Sequence, residues 1–380
     1  RAEFMRCAVE IVKDHPIIGA GAGGWEALYR QYQNYSYWTT ETHSHFLQVW
    51  VETGTVGLLA FLAMWLILLF YIFRIYKAKR KEEDQSHWIV SWGIASGALA
   101  LGAHAALDFD LSIPAMCMIL WSLLALVNSL YNESSPAPAA SSRQKPAYAW
   151  VQVGAAGLLV VLLLVSGSKY IYAFNLASQG DKELVAASKE TKGQLQLELM
   201  NKASINYYRA TQYDPNNGHY SAGLATVYAN FFTLLYQQEL PQAQEVHQRA
   251  VESVERAAHL RPYDIKCLNM LVENTDLIGY IPGFLELGKL SLKASPNDIM
   301  VYKNTANMWW VACQQTKQTG NKEMSLEFAR HILLVEKSLQ NQINRVDVEH
   351  PYWLGPRLQV DEDLEKLFKQ ADDYLNRNGK

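Results

Sequence analysis

The sequence predicts an all-α protein in which several transmembrane helices are followed by an α-helical repeat domain. Three observations carry this. Four long uncharged apolar runs fall within the first 168 of 380 residues. The remainder is polar, rich in Tyr, Gln, Asn and Ala, with apolar residues at helical spacing. Prolines recur at the ends of those later helices. The mean hydropathy of −0.11 averages two unlike halves and resembles neither.

The apolar runs are 53–73, 88–107, 111–132 and 146–168. Each approaches or exceeds the ~20 residues that cross a hydrocarbon core as a helix, and none carries the polar stripe of a surface helix of a soluble protein. Basic residues orient them. Arg74, Lys77, Lys79, Arg80 and Lys81 follow the first run, and Arg143 and Lys145 lie between the third and fourth, whereas the link LDFDLS has no Lys or Arg. Positive residues stay on the cytoplasmic side. The expected layout is therefore an external segment 1–55 with an amphipathic helix, three spans in 56–131, a Pro/Ala/Ser-rich cytoplasmic loop 132–148, a fourth span 149–168 and an extracytoplasmic domain 169–380. The chain starts at Arg1, with no secretory cleavage pattern, and reads as the C-terminal part of a longer multi-pass protein of the cytoplasmic membrane.

In the tail, INYYRATQYDPNN, VERAAHLRPYD and LSLKASPND each place a proline after a helix, at Pro215, Pro262 and Pro296. The second interval is 34 residues, the tetratricopeptide period, and the first is 47, which calls for about a dozen extra residues. Small residues (Ala210, Ala257, Ala294) stand where paired helices pack closely. This reads as about three degenerate tetratricopeptide-like repeats, a surface for a protein partner. A generic α-helical domain is the alternative.

A net charge of −3 gives no electrostatic footing for nucleic acid. The cysteines at 7, 117, 267 and 313 form no CxxC pair or zinc-type cluster and read as buried free thiols. GAGAGG (19–24) fits a dinucleotide fingerprint, but only Ile17 and Ile18 separate it from Pro16, so no strand precedes it. It reads instead as a turn on the outer face where backbone comes close to a headgroup or phosphate. Asp108-Phe109-Asp110 has the D-x-D form of a metal-holding pair. The reading favoured is that both carboxylates keep the end of the second span in water, with His104 one turn before Asp108 and able to pair with it. In THSHFLQVWVETGTVG (42–57), Gly54 and Gly57 would permit close helix packing, and a lone external His43 is ordinarily an interfacial residue.

Residues carry a further signal when taken together. The pattern His43-Ser44-x9-Gly54-x-x-Gly57, immediately before a span, resembles the signature of the O-antigen ligase family, which also includes O-antigen polymerases and protein O-oligosaccharyltransferases. RAEFMRCAVEIVKDHPIIGAG, with Arg1, His15 and Pro16, is similar to a family helix and turn, followed by the tyrosine-containing WEALYRQYQNY; the family often has Trp where this chain has Met5. HAALDFDLSIPA (104–115) is similar to a late-span segment. The resemblance covers roughly residues 1–131. It implies the C-terminal portion of a GT-C-like glycosyltransferase, with His43 matching the essential histidine, Arg1 an essential external arginine, and no role for His45. It further implies a polyprenyl-diphosphate (undecaprenyl-type) glycan donor, a glycan, lipid or protein acceptor, membrane lipid around the site, and no cofactor or metal. The chemistry suits those residues. An imidazole titrates near neutral pH and can take a proton from an acceptor hydroxyl. An arginine presents fixed donors to diphosphate oxygens as negative charge builds. Polymerase chemistry uses the same donor, and the fragment does not separate it from ligation; the tail tilts the reading toward ligation. A membrane-anchored scaffold without catalysis is the rival from another class, and under it His43 and Arg1 are replaceable.

Overall fold

The computed structural model describes residues 1–81, 86–134, 146–191 and 193–379. The Arg143 and Lys145 charges and most of the expected cytoplasmic loop lie outside the described residues. The described residues are helical with connecting turns and divide into two compact units, Arg1–Lys145 and Pro146–Lys380.

The first unit opens with α1 (Ala2–Asp14), which buries Cys7, Ala8, Ile11 and Val12 along one face and leaves its charges on the other. A short α2 (Gly24–Tyr32) buries Trp25, Leu28 and Tyr29. The two are tied by Glu3, which accepts from Arg6 Nη2 at 2.6 Å and from the Asn34 amide at 2.7 Å, while Arg6 also donates to the Tyr32 carbonyl.

Helix α3 (His45–Lys79) starts at a Ser44 cap and breaks at Gly54, where φ is 68° and ψ −170°. That backbone region is essentially open only to glycine. The break is filled by the turn after α1. Ala20 N–H donates to the Val51 carbonyl (2.8 Å) and Gly21 N–H to Glu52 (3.0 Å); Thr55 N–H donates to Pro16 (2.9 Å) and Val56 N–H to Ile17 (3.3 Å). Backbone groups freed by the kink thus find partners. A Cβ on Gly19 would sit 2.5 Å from the Glu52 carbonyl carbon and the Gly54 nitrogen. The close approach that this glycine-rich turn permits is to the chain's own backbone. This corrects the expectation of a headgroup cradle at Gly19. Gly54 likewise serves the kink rather than a helix–helix seam, and Gly57 has the Thr53 side chain against it.

Helices α4 (Ser86–Ala105) and α5 (Pro114–Ser134) pack with α3 around Trp65, Leu68, Ile72 and Ile75, with Ala95, Ala98, Leu120 and Val127 facing them. Gly102 leaves room for the Trp65 ring. Their outer faces are apolar and open: Leu66, Phe73, Met118 and Trp121 are all at least 59% exposed. Such faces suit acyl chains. Pro114 sets the start of α5 three residues later than the sequence pattern, because Asp110–Ser112 forms a short 3-10 turn instead.

In the second unit, α6 (Pro146–Lys189) runs 44 residues without a break. The expected boundary at 168 is not an element boundary. Past the apolar run, Ala173, Leu176, Ala177, Gly180, Leu184 and Ala187 continue at helical spacing, and no proline or cap interrupts them. This half packs on α7 (Gly193–Tyr213), where Gly180 faces the Tyr207 ring and Asn206 donates to Glu183 at 2.8 Å. Helical hairpins follow: α8 (Gly218–Gln237) with α9 (Ala243–Leu260), α10 (Ile265–Leu277) with α11 (Ile281–Ala294), and α12 (Ile299–Gln318) with α13 (Lys322–Arg345), then α14 (Glu362–Asn378). Ala210, Ala257 and Ala294 are fully buried. The uneven proline spacing has a simple origin. Helices α8 and α9 have 20 and 18 residues where α10 and α11 have 13 and 14, so most of the extra length is helix rather than an inserted loop.

Among the described residues four helices, α3 to α6, are long and apolar enough to cross a membrane, and the chain is a multi-pass membrane protein.

Candidate functional site

Residues 33–44 carry the chain from α2 to α3 with little regular structure, and the last three of them fix the candidate histidine. Thr42 Oγ1 donates to the Ser44 carbonyl (2.6 Å) and accepts from the Ser44 amide (3.2 Å), while the Thr42 amide donates to Gln48 Oε1 (3.2 Å). These bonds brace His43 in the left-handed region at φ 53°, a conformation that costs a non-glycine residue on the order of 1 kcal/mol or more. The ring is held on two sides. It stacks on Phe4 of α1 with centroids 5.5 Å apart and meets the edge of Phe109 at 5.3 Å.

Asp108, in the link between α4 and α5, completes the group. Its Oδ1 lies 3.4 Å from His43 Nδ1 and accepts the Phe109 amide at 2.9 Å. Its Oδ2 lies 3.7 Å from Arg1 Nη2. The structure thus brings Arg1, His43 and Asp108 together from three separate parts of the sequence. The Arg1 side chain is 62% exposed, so it can move. The His45 amide donates to the Asp108 carbonyl at 3.1 Å, which fixes the link against the start of α3. The Phe109 amide, then His43 and Arg1, hold the Asp108 carboxyl below its ordinary value, so it stays anionic. Glu41, two residues before His43, is pushed the other way, by burial first and then by Glu52.

The D-x-D reading changes in the structure. Its two carboxylates diverge: Asp108 faces His43 and Arg1, while Asp110 pairs with His104. The expected His104–Asp108 pair does not form. Helix α4 ends at Ala105, so the one-turn register fails before Asp108, and the 3-10 turn swings Asp110 back instead. Sequence reasoning treated Asp108 as a solubilising end group and did not assign Phe4 or Phe109. The signal was the phenylalanine inside DFD, beside a link with no basic residue.

Burial pushes the Cys7 thiol up to about 12, and its sulfur accepts from Tyr37 Oη at 3.1 Å. Cys7, Cys267 and Cys313 are buried free thiols, and Cys117 is half-buried.

Residues 1–62, which contain α1, α2, His43 and the Gly54 break, match the family model described as O-Antigen ligase. The match supports the O-antigen ligase family and a membrane function of the glycan ligase or polymerase type. No curated protein matches the chain.

Proposed function

We propose that this chain carries the transfer site of a membrane glycan ligase, which moves an oligo- or polysaccharide from a polyprenyl-diphosphate carrier to an acceptor on the outer face of the cytoplasmic membrane. The observation that carries the reading is the convergence of Arg1 and His43 on Asp108, inside the first unit whose start matches the O-antigen ligase model.

The chemistry balances with these groups. The acceptor oxygen forms a bond to the anomeric carbon. The bond from that carbon to the diphosphate oxygen breaks, and its electron pair leaves with the diphosphate. The acceptor proton goes to His43. A carboxylate on Nδ1 favours the tautomer with Nδ1–H and leaves the Nε2 lone pair free as base; apo distances of this kind commonly shorten when substrate binds. Arg1 turns its guanidinium to the departing diphosphate, whose negative charge it stabilises. The exposed apolar faces of α3 to α5 offer the isoprenoid tail a surface continuous with lipid. The helical hairpins of the second unit, read as tetratricopeptide-like, supply a surface for recruiting the acceptor.

The test is His43→Ala in the protein as its cells make it, with membrane levels checked. Loss of glycan transfer with accumulation of lipid-linked glycan is expected. Unchanged transfer would show His43 to be structural and favour a scaffold. Product analysis separates an acceptor-linked glycan from a lengthened lipid-linked chain, the product of a polymerase.

A further inference from the structure

Helix α6 carries a ruler along its length. Trp150 and Tyr170 are both exposed and stand 20 residues apart, a rise of ~30 Å, the thickness of a hydrocarbon core. Between them every residue from Leu158 to Val165 is an exposed Leu or Val. Tryptophan and tyrosine gather at the two levels where lipid meets water. With α6 across the membrane, Tyr170 marks the level from which the rest of the second unit extends.

Apolar exposure does not stop there. Ile171 and Phe174 are 65% and 63% exposed, and they share one face of the helix with Tyr170. The other face, at Leu176 and Ala177, is packed into the second unit. Helix α7 runs antiparallel to α6 and returns to the Tyr170 level. Gln196 donates to the Ala187 carbonyl and Asn206 to Glu183. Further along, Arg209 donates to Tyr172 Oη at 3.1 Å, and Tyr213 meets the Tyr172 ring edge-on at 4.8 Å. The turn after α7 thus lies beside the apolar end of α6. Arg256, near the end of α9, donates to the Pro215 carbonyl of that turn at 2.8 Å, which brings a further cation to the same end.

The chemistry of this end names what covers it. Lys169, Arg209 and Arg256 are exposed, with Tyr170 and Tyr213 exposed among them. The nearby acids are engaged: Asp214 accepts from Asn217 at 3.0 Å, and Asp264 pairs with Arg261 at 2.6 Å. Cations, tyrosine rings and apolar side chains at one level, continuous with a membrane-length apolar run, match phosphate headgroups over acyl chains. We infer that the α6–α7 end of the second unit, from Tyr170 to the turn after α7, docks on the headgroups of an anionic lipid surface.

The inference rests on α6 crossing the membrane and not on the transfer reading. The test uses the full chain in vesicles of phosphatidylethanolamine with phosphatidylglycerol, and in vesicles of phosphatidylcholine alone. Spin labels are placed singly at Leu162→Cys in the span, at Asn216→Cys in the turn after α7, and at Gln237→Cys at the far end of α8. All three positions are exposed. Depth is read from accessibility to oxygen against a neutral nickel chelate. Leu162 should report the hydrocarbon, Asn216 the headgroup level and Gln237 open water. Phosphatidylglycerol should lower nickel access at Asn216 by at least about twofold, and Lys169→Gln with Arg209→Gln should remove that difference at unchanged thermal melting. Leu162 outside lipid overturns the span and the inference with it. With Leu162 in lipid, three results overturn the docking alone. They are an Asn216 label as open to nickel as Gln237, one closed to both probes and so covered by protein, and one indifferent to lipid charge.

Discussion

At the scale of single residues, the site turns on one carboxylate. Asp108 touches both candidate residues, so its amide isostere is the sharpest probe. Asp108→Asn keeps volume but removes the charge that orients the His43 ring and draws Arg1. Glycan transfer should fall at least about tenfold, the equivalent of ~1.4 kcal/mol in the barrier, with little change in melting. His43→Asn is the companion, since Asn tolerates the left-handed backbone at φ 53°; it should abolish transfer yet fold. Because the Asp108 pKa is lowered, its ionic contacts are present above the ordinary carboxylate range and disappear only as pH falls through the lowered value. The part of transfer that depends on Asp108 should therefore persist through mildly acidic pH, as a pH–rate comparison of parent and Asp108→Asn will show. His43 and Arg1 were singled out in the sequence only through the family resemblance, since spacing alone left His43 an ordinary interfacial residue. Asp108 was legible only as an acid beside a span, since 65 residues separate it from His43 and no local pattern reports a contact that depends on tertiary packing.

At the scale of elements, two features can be tested by single substitutions. The first is the kink of α3. Gly54→Ala adds a Cβ that collides with the Ile17 carbonyl and forces a glycine-only backbone region on alanine. A loss of roughly 2–4 kcal/mol is expected, read as a lower melting temperature in detergent, together with loss of the docked 16–21 turn. The second is the repeated turn of the tail. Each of Pro215, Pro262 and Pro296 is followed two residues later by an Asn or Asp that caps the next helix: Asn217, Asp264 and Asp298. Asp264 accepts from the Lys266 and Cys267 amides and from Arg261 Nη2 at 2.6 Å. Burial works to raise its pKa, but Arg261 and the two amides outweigh it and lower the value. Asp264→Ala should cost about 1–2 kcal/mol near neutral pH. The sign follows from the lowered folded value: the contribution is complete above the unfolded pKa and is lost as pH falls through the folded one. Parent and variant should therefore converge in stability in acid. The prolines showed where helices end. That α8 and α9 are long helices rather than short ones with an insertion was not legible, because no proline within either sequence marks where a shorter helix would have ended.

At the scale of the whole molecule, four helices among the described residues, α3 to α6, have the length and apolar character to cross a membrane, and if all four cross, the number of crossings is even. Apolar length was plain in the sequence, whereas the end of the apolar part of α6 was not marked: one helix continues from exposed apolar side chains into the packed core of the second unit, and no breaker marks the transition. Even crossings make a firm prediction. If the basic cluster from Arg74 to Lys81 faces the cytoplasm, residues before α3 and after α6 share the opposite side. Thr40→Cys and Gln318→Cys, both exposed positions, should react with a membrane-impermeant maleimide in intact cells, and Lys77→Cys only after permeabilisation. The native thiols interfere little, since Cys7, Cys267 and Cys313 are buried and Cys117 sits within α5. Labelling of Thr40→Cys but not Gln318→Cys would mean that one of the four helices does not cross. The tail could then not meet an acceptor on the side where His43 works, and its role in recruitment would fall while the site around Asp108 stood.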